Sequence, residues 1–276
     1  MVKLRTQALA FLLSSLMLLS GHVASAPEED GVLTFGVVPQ QASEKLAMQW
    51  LPLMRHLSAK TGYKIQFATA PNIPEFEKRL AAGEYDFAYM NPYHFTVFNE
   101  NPGYRATARQ KNHVIRGIIV VAASLEVESL EDLAGADLAF PAPKAFAATL
   151  ITRAFLDDAA PGYTATFVNS HDSVYRAVAS GLFNAGGGIV RTFNEMSPEI
   201  KNELEVLWLS PGYTGHAFAV NPEVAEEVAE AVQQALVEVA ESEAGANILR
   251  GLGMNALQTA IDSDWDDVRA LGLDQP

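Results

Sequence analysis

From Gly31 onward, short runs of β-branched and aromatic residues alternate with stretches whose apolar positions recur at helical spacing. Residues 32–38 read as a strand ending at Pro39-Gln40-Gln41. Beyond it, Leu46, Trp50, Leu53 and Leu57 fall on one helical face, which predicts a helix capped by Ser43 and closed by Lys60-Thr61-Gly62. Pro52 lies inside that stretch and predicts a kink or an opened second half. A strand at 64–68, a helix at 74–82 ended by Gly83, and a strand at 86–90 closing on Asn91-Pro92 follow. This β-α-β-α-β succession predicts a parallel sheet with helices on its faces. Ligands of such sheets sit beyond the carboxyl ends of the strands, which nominates the loop at Gln40-Gln41 and the segment 89–94.

A second series begins with the apolar run 117–122. Ser129 and Asp132 resemble a capping box. Strands are expected at 137–140, 165–168, 183–186 and 205–209, with helices at 145–157 and 172–181 between them. A turn-rich Pro211-Gly212-Tyr213-Thr214-Gly215 leads to a strand at 216–220, and helices are expected at 222–241, 244–252 and 264–271. Two similar α/β units without a flexible linker predict two lobes joined by crossing strands. The expected division is residues 31–117 with 221–276 for the first lobe and 122–215 for the second, with hinge strands at 118–121 and 216–220.

The first residues carry a different signal. Lys3 and Arg5, an apolar run at 8–19 and Ala24-Ser25-Ala26 predict a secretory leader over 1–26, hence export to the periplasm. The chain has no Cys, which excludes disulfides, thiolate metal sites and a Cys nucleophile. Its formal charge of −14 disfavours nucleic acid and anionic membrane as partners, so an anionic ligand needs a local positive site. His22, His56, His94, His113, His171 and His216 are scattered without zinc-ligand spacing. No nucleophile elbow, zinc-protease helix or phosphate-binding glycine loop is present. The expectation is a non-enzymatic, monomeric protein without cofactor or metal.

Several segments, in order, resemble one family. They are Phe35-Gly36-Val37-Val38-Pro39, Gly83-Glu84-Tyr85-Asp86-Phe87-Ala88, the stretches 129–135 and 137–143, and Ser170-His171-Asp172-Ser173 followed by Gly181 and Ala185-Gly186. Together they resemble the periplasmic binding proteins of phosphate, phosphite and phosphonate transporters. The resemblance implies a two-lobed type II periplasmic binding fold, each lobe a mostly parallel sheet flanked by helices, with a two-strand hinge. It further implies a small oxyanion held in the interlobe cleft and handed to an ABC transporter permease. Some relatives instead present ligand to the ectodomain of a sensor histidine kinase, and that alternative stands beside the first. Phosphonate binders of this family place a Ser/Thr cluster at the helix start after the strand at 138–140. Here that stretch is Pro141-Ala142-Pro143-Lys144-Ala145-Phe146-Ala147-Ala148, with no hydroxyl before Thr149.

The candidate ligand residues are Gln41, Tyr89, Asn91, Tyr93, His94, Lys144, Phe146, His171 and Arg191. Aromatic rings, an amide and an imidazole at 89–94 suit a small polar ligand, although Tyr93 can equally belong to the core of the next helix. Lys144 and the helix start after Pro143 offer positive charge, and Phe146 an apolar wall. His171 matches the family's cleft histidine; the competing role is a cap or structural histidine. Arg191 follows Gly186-Gly187-Gly188 and offers a planar fork for an anion, or else an ion pair with Glu195 one turn on. Asp172 reads as a helix cap. Gln40 and Tyr213 are weaker candidates for the cleft wall.

Overall fold

A computed structural model describes residues 31–273; the leader expected at 1–26 lies outside them. The first unit runs β1 (Leu33–Val37), α1 (Ser43–Thr61), β2 (Ile65–Ala68), α2 (Ile73–Ala81), β3 (Phe87–Met90), α3 (Pro92–Glu100) and β4 (Arg105–Gln110). A two-residue strand β5 (Val114–Ile115) leads to β6 (Gly117–Ala122) and β7 (Asp137–Phe140). A π-helical turn, Phe146–Ile151, continues into α4 (Thr152–Ala159), then β8 (Thr164–Phe167), α5 (His171–Ala179) and β9 (Ala185–Ile189). Short helices α6 (Val190–Asn194) and α7 (Pro198–Lys201) precede β10 (Leu204–Leu209), β11 (Tyr213–Thr214) and β12 (Ala217–Val220). The chain closes with α8 (Glu226–Glu238), α9 (Glu243–Gly251), β13 (Leu257–Thr259) and α10 (Asp266–Arg269). No helix among the described residues is long and apolar enough to cross a membrane.

Two mixed sheets carry these elements. One has the order β13-β4-β12-β3-β1-β2, the other β10-β6-β9-β7-β8. Each keeps a parallel βαβ portion, β2-β1-β3 and β8-β7-β9. The antiparallel neighbours are the strands next to the passages between sheets: β12 between β3 and β4, and β6 between β9 and β10. The chain leaves the first sheet after β4, enters the second at β6, leaves it after β10 and re-enters the first at β12. The passages therefore carry β5 and β11, which pair with each other, Tyr213 opposite Ile115. Of the expected hinge strands, 118–121 lies within β6 and 216–220 coincides from Ala217 onward with β12, each inside a sheet. Their unbroken apolar character follows from being covered on both faces.

Helix α1 shows why the first unit holds together. Leu46, Trp50, Leu53, Met54 and Leu57 are all buried on one face. Trp50 meets Tyr89 at 4.6 Å and Phe35 at 6.2 Å between ring centroids. The helix runs unbroken through Pro52. Proline removes one backbone donor, but buried residues on both sides of it anchor the two halves to the same sheet. Ser43 is the first helical residue rather than the cap: Ala42 stands there, without a side-chain bond. Gly62 closes the helix at φ 80°, a left-handed value that favours glycine.

The glycine run 186–188 is the centre of β9 rather than a loop beyond a strand. A Cβ on Gly187 would stand 2.0 Å from the Ala148 carbonyl oxygen, and one on Gly188 2.3 Å from the Tyr175 hydroxyl. Gly117 in β6 meets the same helix start, 2.2 Å from the Ala147 oxygen. Gly117 and Gly187 let the π-helical turn lie directly on the sheet, and Gly188 makes room for Tyr175 of α5.

Candidate functional site

The π-helical turn is the centre of the site. The chain leaves β7 through Pro141, Ala142 and Pro143 and turns into the helix at Phe146. The Ala145 carbonyl accepts from both Thr149 N (2.8 Å) and Leu150 N (3.3 Å), the widened turn of a π segment. First-turn N–H groups at 146–148 have no partner within their helix and carry the positive end of its dipole. Phe146, Ala147 and Ala148 line a small cavity together with Gln40, Asn91 and His171. Its free volume is about 10 Å³, room for about one water centre.

Two buried polar atoms beside this turn lack partners. Thr149 is fully buried and its Oγ1 is unbonded. His171, 1% exposed, pairs through Nδ1 with Thr192 Oγ1 at 3.0 Å and leaves Nε2 without a partner. When the Thr192 hydroxyl donates to Nδ1, Nε2 carries the proton and offers it to the cavity. Burial, and then the Arg191 charge, push the His171 pKa down to about 3, so the empty site holds a neutral imidazole. An unsatisfied buried polar group costs stability, which marks these atoms as candidate ligand contacts.

His171 opens α5, where Ser170 is the cap: its Oγ accepts from Ser173 N at 3.1 Å. Asp172, expected as the cap, accepts instead from Gln41 Nε2 at 3.4 Å and faces Lys45 Nζ at 4.0 Å. These contacts belong to a belt joining the two lobes. His171 N donates to the Gln40 carbonyl (2.9 Å), and Asn91 Nδ2 to the Lys144 carbonyl (3.3 Å). Arg191 donates to Gln40 Oε1 and to Glu195 Oε1 (3.2 Å). Glu195 Oε2 accepts from Gln49, also at 3.2 Å, and Lys45 Nζ reaches the Glu195 carbonyl. The molecule is thus in a closed form, its lobes laced along one edge of the cavity.

Of the nine candidates, Asn91, Phe146 and His171 come together at the cavity. Asn91 is also the cap of α3, its Oδ1 accepting from His94 N at 2.7 Å. Tyr89 and Arg191 line a larger chamber of about 320 Å³ next to it. There burial raises the Tyr89 hydroxyl to about 12. Gln41 is buried but does not line the cavity, whereas its neighbour Gln40 does. Three candidates lie elsewhere. Tyr93 turns away around α3 and lines a separate pocket with Thr96 and Arg269. His94 is buried in the first lobe with Nε2 3.0 Å from Glu77 Oε1. The Lys144 side chain lines neither cavity; its carbonyl is what reaches Asn91. Arg191 makes the ion pair with Glu195 and also faces the chamber, so both expected roles meet in one side chain. Ile73, Ile115 and Ile189 complete the cavity wall; as ordinary core isoleucines they carry no sequence signal.

Two lobes of mixed α/β structure, joined by two passages and closed over a donor-lined cavity, define a type II periplasmic binding fold. The chain belongs to the family of ABC transporter phosphonate periplasmic substrate-binding proteins, whose profile matches residues 35–265. The phosphate-import protein PhnD of Mycolicibacterium smegmatis is 24% identical over 230 residues, covering 71% of this chain and 68% of that one. The phosphonates-binding periplasmic protein of Escherichia coli is 20% identical over 265 residues, covering 91% and 78%. Among solved structures, PhnD1 of Prochlorococcus marinus in complex with methylphosphonate superposes with a TM-score of 0.80. It is 17% identical, with 87% of this chain and 97% of that one covered. A binding-protein component of a Pseudomonas aeruginosa ABC phosphonate transporter gives 0.81 at 17% identity, covering 89% and 86%. At these identities the structural likeness establishes the fold.

Proposed function

We propose that this chain is exported to the periplasm, captures a small oxyanion of the phosphonate class between its lobes, and delivers it to an ABC transporter permease. The observation that carries this reading is that the helix start at 146–148 and His171, whose Nε2 is unbonded, line one cavity, with the buried, unbonded Thr149 hydroxyl on the same helical turn. Membership of the transporter-protein family supports the delivery step. Ala145, Phe146 and Ala147 stand where the family's phosphonate binders place hydroxyls, so the anion is held mainly by backbone and by Thr149 and His171. The cavity is smaller than a phosphonate group, so the lobes part about the β5 and β11 passages to admit ligand and close on it again.

Titration calorimetry with methylphosphonate, phosphite and phosphate tests this, alongside small-angle scattering. Saturable binding of at least one of them with a decrease in radius of gyration is expected. Absence of heat and of any scattering change with all three at millimolar concentration would overturn the assignment.

A further inference from the structure

Beside the oxyanion cavity lies the chamber of about 320 Å³, within the size range of pockets that hold organic ligands. Ile115 and Ile189 belong to the walls of both, so the two spaces adjoin at these residues. A methyl or hydrogen substituent on a bound oxyanion leaves the chamber unused.

Its walls have a definite chemistry. Val114, Ile115, Ile189 and Val190 make an apolar side. Facing them, the His216 ring stacks on Tyr89 with centroids 4.8 Å apart and planes 12° apart. His216 is 7% exposed, and its Nε2 has no partner. The charged groups of the wall are Arg116, Arg191 and Glu195. Glu195 is fully engaged, Oε1 with Arg191 and Oε2 with Gln49. Arg116 donates one bond, to the Ser210 carbonyl at 2.7 Å, and among the described residues no carboxylate lies within 4.0 Å of its guanidinium. His113 and His216 add no charge that would alter this balance, because burial and Arg191 push both below the ordinary imidazole range. The chamber therefore keeps one cation without a counter-charge, in a protein whose overall charge is −14.

We propose that the chamber receives the organic substituent of the ligand, its aliphatic part packed between Ile115 and Ile189 and an anionic tip, a carboxylate, set against Arg116. The ligand class is then a carboxyalkyl phosphonate rather than phosphate, phosphite or a simple alkylphosphonate. This rests on the oxyanion reading of the neighbouring cavity.

The test is titration calorimetry of the mature protein with phosphonoacetate, phosphonopropionate and phosphonobutyrate, each against the uncharged alkylphosphonate of the same length, and with methylphosphonate. At least one carboxylated member is expected to bind about tenfold more tightly than its alkyl counterpart, a single charge-assisted contact. In Arg116→Gln that preference is expected to fall to about threefold or less. Val190→Trp, at a chamber-wall position 39% exposed, is expected to weaken the preferred carboxylated ligand more than it weakens methylphosphonate. Equal or tighter binding of the alkyl member at every length overturns the inference, as does a preference that survives both substitutions. In either case measurable methylphosphonate binding leaves the oxyanion reading standing. Failure of every phosphonate to bind removes that reading and this inference together.

Discussion

The support beneath the helix start can be broken by one methyl group. In Gly187→Ala the new Cβ would stand 2.0 Å from the Ala148 carbonyl oxygen and 2.6 Å from Phe140 Cδ1. Ordinary contact of such atoms begins at about 3.5 Å, so well over 1 Å of overlap must be relieved. Strand β9 cannot retreat, because Gly187 pairs with Ile119 of β6 and the strand pairs with β7 on its other side. The helix start must lift. That also disturbs the 2.8 Å bond from Thr152 Oγ1 to the same Ala148 carbonyl and re-aims the amides at 146–148. Overpacking of this kind costs about 3 kcal/mol, which for a chain of this size lowers Tm by about 6–12 °C. Thermal and urea unfolding followed by circular dichroism would read the loss, with methylphosphonate titration reading the displaced amides. Gly251→Ala is the control: nothing lies within 4 Å of its added Cβ, so stability is expected to hold or rise slightly. A Gly187→Ala protein that melts within about 1 °C of the parent refutes the packing argument.

Other perturbations follow from the same geometry. His171 has its folded pKa depressed to about 3, so the unfolded chain takes up a proton first as pH falls below about 6.5; stability should drop by about 1.4 kcal/mol per pH unit between there and pH 4, and His171→Gln should flatten the urea-unfolding profile by about that slope. His216 contributes in the same direction. Arg191→Ala strips Gln40 and Glu195 of their shared partner; the empty protein should scatter as a more open form, and ligand affinity should fall about tenfold or more. Pro52→Ala restores a donor inside a continuous helix and is expected to raise stability by about 1–2 kcal/mol in thermal unfolding, after allowance for the greater freedom of the unfolded chain.

The regular βαβ portions were legible because their periodicity is local: the buried face of α1 and the three parallel strands beside it follow from spacing alone. Strand β4 was not, because Arg105–Gln110 mixes polar side chains with alanines and owes its place to β12 and β13, distant in sequence. The crossings were displaced by a few residues for a related reason. The apolar runs of β6 and β12 mark sheet centres, whereas β5 and β11 are two residues each. The three glycines of β9 read from sequence only as a run before Arg191, whereas in the fold Gly187 admits the π-helical turn and Gly186 and Gly188 admit α5 on the other face. At the site, His171, Asn91 and Phe146 were reachable from strand-end positions. Tyr93 and His94 share that neighbourhood, and helical rotation after Pro92 carries them to other faces. Glu195 appeared only as a possible partner for Arg191; its contacts with Lys45 and Gln49 span about 150 residues, beyond any local pattern.

The central claim is that a phosphonate oxyanion replaces the missing partners of Thr149 and His171. Thr149→Val removes the hydroxyl while keeping the side chain's shape, and that hydroxyl makes no bond in the empty protein. Titration calorimetry of methylphosphonate into parent and Thr149→Val protein, with melting temperatures of both in the empty state, tests the claim most directly. The expected result is an unchanged or higher melting temperature and an affinity weaker by about tenfold, the loss of one hydrogen bond to a charged group. Equal affinity in the two proteins would contradict the claim and move the oxyanion away from this helix start.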